Sequence, residues 1–286
     1  MIIGAIEAGG TKFICGIGNE KGEIFEKISF STETPEITLS KVIDFFKNKN
    51  IEKLGVGFFG PIDLNPNSST YGYVTKTPKL SWIDYDVLGY LKKYIHVPIF
   101  LDTDVNGAAL GEATWGSAKD IKNCLYLTIG TGIGGGALVS GKLIHGMLHP
   151  EMGHILVKRH PEDKYEGKCP FHKDCLEGLA SGPAIEARWG VKGYELPENH
   201  MAWDLEAYYI AQGLMNFILT LSPEKIILGG GVMKQKHLFP KIRKNVIELL
   251  QGYLHTNQIL KDIDNYIVYP ELNEEAGLLG ALALAL

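Results

Sequence analysis

Ile2-Ile3-Gly4-Ala5-Ile6-Glu7-Ala8-Gly9-Gly10-Thr11-Lys12-Phe13-Ile14-Cys15-Gly16-Ile17 reads as two short apolar runs separated by a Gly-Gly-Thr turn. Runs of this length around such a turn predict a hairpin. The pattern returns in the second half. Cys124 to Ile129 is an apolar strand, followed by Gly130-Thr131-Gly132-Ile133-Gly134-Gly135-Gly136 and a further strand, Ala137 to Ser140. One strand–turn–strand per half predicts two α/β domains, with a boundary near Trp115-Gly116-Ser117. The first is expected over 1–115, with the C-terminal helix 274–286 packing back on it, and the second over 116–273.

The segments between the hairpins fit this plan. Gly22 to Ile28 alternates as a third strand. Ile37 to Phe46 has helical spacing, with Ile37, Val42 and Phe45/Phe46 on roughly one side. Leu54 to Phe59 is a strand, Asn65 to Pro78 a polar loop over the ligand site, Asp84 to Ile95 a helix and Pro98 to Leu101 a buried strand. A small-residue helix covers Gly107 to Trp115. Later come a helix over Ala207 to Leu221, a strand over Lys225 to Leu228 ending in Gly229-Gly230-Gly231, a helix over Phe239 to Leu254, a strand over Ile267 to Tyr269, and a buried Ala/Leu helix from Glu274.

Composition bounds the function. With 286 residues, 45% hydrophobic and 21% charged, the chain can bury a substantial core and leaves little room for disorder. A net charge of −5 without a long Lys/Arg run disfavours a nucleic-acid surface. Four cysteines suit a reducing cytosol better than a disulfide framework. The N-terminus lacks a signal-peptide pattern, and the apolar C-terminus is too short to span a bilayer, so a cytoplasmic protein with no membrane partner is expected.

Gly130 to Gly135 matches G-x-G-x-x-G, but the dinucleotide fingerprint needs a helix after the loop, and here a strand follows. An ordinary hairpin accounts for one glycine turn. Two equivalent turns, plus Gly229-Gly230-Gly231 after a third strand, point to backbone nests that hold phosphates of a nucleotide. Asp102-Thr103-Asp104-Val105-Asn106 lies where a strand meets a helix, the place where open α/β sheets gather ligands. Either aspartate can serve as a base toward a substrate hydroxyl, and either can cap the helix.

Glu151-Met152-Gly153-His154 and Cys169-Pro170-Phe171-His172-Lys173-Asp174-Cys175-Leu176-Glu177 carry a second chemistry. Cys169, His172 and Cys175 have the C-x-x-H-x-x-C spacing of a zinc loop. A tetrahedral site needs a fourth ligand, and His145, His149, His154 and His160 are available upstream. Glu151 and Glu177 bracket the cluster, and carboxylates accept hydrogen bonds from ligand hydroxyls.

Together these stretches resemble the ROK sugar kinases (repressor, open reading frame, kinase) over nearly the whole chain and in the family's order. Glu7 to Lys12 resembles the phosphate motif, Thr103 to Glu112 the catalytic-aspartate segment, Gly130 to Gly136 the second phosphate loop, and the Glu151–His154 and Cys169–Glu177 stretches the sugar-and-zinc signature. Glu7 in place of the usual Asp, His172 in the cysteine-rich segment, and Gly57-Phe58-Phe59-Gly60-Pro61-Ile62-Asp63 are similar to the bacterial fructokinase branch. The resemblance implies an actin/hexokinase-like (ribonuclease H-like) α/β fold of two domains with a central cleft, whose closure excludes water. It implies ATP, Mg2+ and Zn2+, a hexose substrate and a homodimer. The hexose it favours is D-fructose, with glucose, mannose and N-acetylmannosamine as alternatives. By that likeness Asp104 is the general base. Asn106, Glu151, His154 and Glu177 meet the sugar, and His154, Cys169, His172 and Cys175 hold zinc. Gly9, Gly10, Thr11, Lys12, Thr131 and Gly132 meet the phosphates, and Gly230 the adenosine. The repressors of this family carry a helix-turn-helix ahead of the kinase body; a first strand starting at Ile2 disfavours that role.

Overall fold

The computed structural model describes residues 1–77 and 79–286. Pro78, the last residue of the expected polar loop, lies outside the described residues. The chain divides into two compact units. One comprises Met1–Asp120, Leu143–Pro150 and Glu271–Leu286, and the other Ile121–Lys142 and Glu151–Pro270. The expected second domain ran unbroken over 116–273; the second unit of the structure omits 143–150.

In the first unit, β1 (Ile2–Ala8), β2 (Lys12–Asn19), β3 (Ile24–Ser31), β4 (Lys53–Phe58) and β5 (Ile99–Thr103) form one sheet in the order β3-β2-β1-β4-β5. The hairpin pairs β1 with β2 antiparallel, Glu7 opposite Ile14, while β4 joins β1 in parallel and β5 joins β4 in parallel. β1 is central, and its nearly unbroken apolar run reflects cover on both faces. β3 is an edge, where Glu26 and Lys27 discourage pairing with another chain.

Helix Pro35–Phe46 starts with proline at its first position and buries Leu39, Val42 and Phe46. Ile37, grouped with Val42 by spacing, is instead 46% exposed. Phe13, Phe58 and Trp82 pack in the core under this face, and the Trp82 indole donates to the Glu33 carbonyl at 2.9 Å. Helix Val87–Tyr94 is shorter than expected because Asp86 caps it, accepting from the Gly89 amide at 2.7 Å.

The last helix, Ala276–Leu284, is buried on nearly all sides against β1, β4 and helix Asp104–Trp115. Such close approach requires glycine. A Cβ on Gly55 would lie 1.7 Å from the Ala281 carbonyl oxygen, and one on Gly280 2.2 Å from the Gly107 carbonyl carbon. Glu112, fully buried, anchors the approach to this helix. Its carboxylate accepts from the Leu272 amide at 2.9 Å and from the Ser117 amide and hydroxyl at 2.8 and 2.9 Å.

The second unit repeats the plan. β6 (Cys124–Ile129), β7 (Ile133–Val139), β8 (Lys142–Leu143), β9 (Lys225–Gly229) and β10 (Ile267–Val268) lie in the order β10-β9-β6-β7-β8. β6 pairs antiparallel with β7 and parallel with β9, as β1 does with β2 and β4. β7 begins at Ile133, inside the glycine run, so a strand and not a helix follows the turn. Helix Ala202–Leu221 buries Trp203, Tyr209, Ile210 and Leu214. Helix Leu238–Leu250 stops earlier than expected because Gln251 and Gly252 take positive φ, 46° and 72°.

Candidate active site

The first turn is a tight loop whose Gly9 amide donates to the Lys12 carbonyl at 2.9 Å. The Thr32 hydroxyl braces it by donating to the Gly9 carbonyl at 2.7 Å. Gly9 and Gly10 are half-buried, and Thr11 and Lys12 are exposed. Glu7 stands just before this turn. Burial raises its carboxyl above the usual range, opposed by the Lys12 charge and by the Leu278 amide. A Cβ on Gly277 would sit 2.3 Å from Glu7 Cδ, so the bare first turn of the last helix is what admits this carboxyl.

Asp104 is the first residue of its helix. The N-cap is Thr103, whose hydroxyl accepts from the Asn106 amide at 3.2 Å, so neither aspartate takes the capping role that the sequence left open. Asp104 accepts from its neighbour, the Val105 amide, at 2.9 Å. Asp102 turns inward and accepts from the Thr103 amide at 2.7 Å and from Asn106 Nδ2 at 2.8 Å. Asn106 is completely buried.

Two histidines weighed as zinc ligands are in this neighbourhood instead. His145 Nε2 lies 2.7 Å from Asp102 Oδ2, and His149 Nδ1 is 3.4 Å from the Thr103 hydroxyl. Sequence carried no signal for this, because 43 residues separate His145 from Asp102 and no local period relates them. His160, the remaining alternative, packs its ring on Tyr208.

In the second unit, three backbone segments converge at the second glycine turn. The Gly130 amide donates to the Gly132 carbonyl at 2.8 Å, and the Gly182 amide donates to the Gly130 carbonyl at 2.7 Å. Gly182 opens helix Gly182–Trp189, so that helix starts at the turn. Gly230 has φ of 90°, and a Cβ there would lie 2.4 Å from the Ile129 carbonyl oxygen, which reserves the position for glycine. Thr131 is exposed at the tip.

His154, Cys169, His172 and Cys175 each offer one ligand atom, all within 4.8 Å of one another. His154 Nδ1 is 3.7 Å from Cys169 Sγ and 3.5 Å from Cys175 Sγ, and His172 Nδ1 is 3.8 Å from Cys169 Sγ. A tetrahedral zinc with bonds of about 2.0 Å to nitrogen and about 2.3 Å to sulfur separates such atoms by about 3.6 Å. The donor set therefore fits zinc in type and number, and these three separations match its spacing. The other face of His154 is turned to a carboxylate, with Nε2 4.0 Å from Glu177 Oε1. Glu177 Oε2 accepts from the Ile133 amide at 2.9 Å. Glu151 keeps an open edge to solvent. Partial desolvation raises its carboxyl above the usual range, opposed by His154 and reinforced by Glu177.

A family model described as "ROK family" matches residues 3–286. A relative from Bacillus subtilis (strain 168) is 52% identical over 284 residues, covering 99% of this chain and 95% of its own. The fructokinase of Pediococcus pentosaceus is 44% identical over 285 residues, covering 100% of this chain and 98% of its own. Among solved structures, the ROK hexokinase from Thermus thermophilus superposes with a TM-score of 0.81 at 27% identity, covering 100% of this chain and 98% of that one. Repeated hairpin sheets, an aspartate opening a helix at a strand end and a Cys/His cluster occur here in one chain matched from end to end, and the chain belongs to the ROK family, with its actin/hexokinase-like α/β fold.

Proposed function

We propose that this chain transfers the γ-phosphoryl group of ATP to a hexose, with D-fructose as the preferred acceptor and fructose 6-phosphate as the product. The observation that carries this reading is the full-length similarity, at 44% identity, to a fructokinase. Asp104 accepts the proton of the attacking sugar hydroxyl as the phosphoryl group moves in line; it opens its helix at the end of a strand, where ligands of open α/β sheets gather. Asn106, Glu151, His154 and Glu177 bind the sugar. The turn of Gly9, Gly10, Thr11 and Lys12 and that of Thr131 and Gly132 meet the phosphates: the Gly9 amide closes the first turn on the Lys12 carbonyl, the other exposed amides and the Lys12 ammonium hold the anion, and Gly230 borders the adenosine.

Mg2+, when bound, would supply charge neutralisation at the transferred phosphates. Glu7 fits such an ion, since its buried Oε2 accepts no hydrogen bond among the described residues. Zinc on His154, Cys169, His172 and Cys175 is structural: four protein ligands leave no open position for chemistry. The reading extends to a cytoplasmic protein that takes no nucleic acid, supported by the sparse cysteines and the charge of −5, and, by the family resemblance alone, to a homodimer. Among the described residues no helix is long and apolar enough to cross a membrane.

A coupled ADP-release assay across fructose, glucose, mannose and N-acetylmannosamine tests the assignment. Fructose is expected to show the highest kcat/KM, and a higher value for another hexose would reassign the substrate.

A further inference from the structure

Asp102 is a buried carboxylate, its side chain 7% exposed, at the end of β5. Its two oxygens divide their partners. Oδ1 accepts from the Thr103 amide and from Asn106 Nδ2, and the hydrogen bond to Oδ2 comes from His145 Nε2 at 2.7 Å. The His145 side chain is 43% exposed and also bonds the Leu143 carbonyl. The imidazole therefore spans two acceptors, a carboxylate and a carbonyl, and the form that satisfies both carries a proton on each ring nitrogen.

An ionised carboxylate has no proton to donate. It consequently dictates which end of the Asn106 amide faces it: Nδ2 must turn toward Asp102 and Oδ1 away. Asn106 Oδ1 is buried and accepts no hydrogen bond among the described residues, so it is an acceptor held in reserve. Without the outer partner on Oδ2 the carboxylate would be free to rotate about its Cβ–Cγ bond and carry Oδ1 away from Asn106 Nδ2, and the amide would lose its anchor.

We propose that His145 is a positioning residue for the sugar subsite: by pairing with the buried Asp102 it fixes the Asn106 amide with Oδ1 presented to a sugar hydroxyl. This rests on the reading of Asn106 and Asp104 given above. His145 acts through Asp102 and through Asn106 itself, whose Nδ2 lies 3.5 Å from His145 Nε2, and touches no reacting atom. Its contribution is the same in the ground and transition states, so it is read in the sugar KM and not in kcat.

The experiment is steady-state kinetics on the full zinc-loaded chain with fructose and ATP varied in turn. His145→Ala is expected to raise the fructose KM about ten- to a hundredfold, the range for losing a hydrogen bond to a charged group, with kcat and the ATP KM within about threefold of the parent. His145→Gln retains a donor that reaches Oδ2 and is expected to recover most of the loss. Asp102→Asn is expected to raise the fructose KM as well, and adding His145→Ala to it should cause little further change, because both act through one pair. An unchanged fructose KM in His145→Ala, equal rises in the fructose and ATP KM values, or a Gln variant no better than Ala would overturn the positioning role. Asp104→Asn run alongside separates the two layers. An inactive Asp104→Asn beside a normal His145→Ala sinks this role alone, whereas full turnover in Asp104→Asn sinks the catalytic reading beneath it.

Discussion

Glu177 accepts a hydrogen bond from the Ile133 amide at 2.9 Å, which joins the helix that follows the cysteine loop to the second glycine turn. A Cβ on Gly132 would lie 2.7 Å from the same carboxylate oxygen, so the glycine is what lets Glu177 reach the turn. The other oxygen faces His154. One carboxylate thus ties the proposed phosphate turn to the proposed metal loop.

Glu177→Ala leaves the Ile133 amide without this partner. The expected cost is about 1–3 kcal/mol of stability and a fall of at least about tenfold in kcat/KM for fructose. Glu177→Gln keeps an acceptor for the amide and should recover the stability but not the activity. Thermal melts beside the coupled assay check both halves; parental kcat/KM in the Ala variant would contradict the assignment.

Zinc removal should lower the melting temperature, because the four proposed ligands come from segments 15 or more residues apart, which a bound metal would tie together. Metal analysis is expected to find one zinc per chain. In a verified zinc-free sample, an unchanged melt with full fructose turnover would refute a structural metal.

Asp104→Asn should fold with an unaltered melting profile and bind fructose, while kcat drops by about 10²- to 10⁴-fold, the usual share of a general base. Turnover near the parental value would remove Asp104 from the chemistry.

The His145–Asp102 bond raises the His145 pKa above its ordinary 6.5, burial opposing and the Leu143 carbonyl assisting. A raised folded-state value means that the stabilisation is complete below 6.5 and is lost as pH climbs through the higher value. Denaturant midpoints should therefore fall on the alkaline side of 6.5 in the parent, and His145→Gln should flatten that limb. An equally steep limb in the variant would assign the pH dependence elsewhere.

Gly55→Ala would set a methyl 1.7 Å from the Ala281 carbonyl oxygen. Backbone lies on both sides of this contact, so relief requires moving the last helix off the sheet. The expected loss is several kcal/mol, read as a collapse of soluble yield or melting temperature. A soluble variant with the parental melt would show that the helix can shift freely.

Much of this was legible locally. Apolar runs broken by Gly-Gly-Thr and Gly-Thr-Gly determined the two hairpins, because strand pairing across a tight turn depends on adjacent residues. The spacing of Cys169, His172 and Cys175 predicted that these side chains gather, since two-residue spacers suffice to bring them together. The place of Asp104 at a strand–helix junction was readable for the same reason. Helices Leu176–Ala180 and Gly182–Trp189 were not, because small residues and the Ser181-Gly182-Pro183 break leave no amphipathic stripe to detect.

Tertiary structure alone decided which histidine serves which site. His145 and His149 precede the cysteines within the same stretch of chain as His154, a difference that spacing does not weigh, yet they belong to the first unit with Asp102 and Thr103, and His154 faces Cys169 and Cys175. It also decided that Glu177 meets Ile133, 44 residues away. Contacts over such separations follow from how sheets and helices stack in three dimensions. Periodicity and spacing, which report on one turn or one strand at a time, determined the hairpins and the Cys/His cluster and could not reach these pairings.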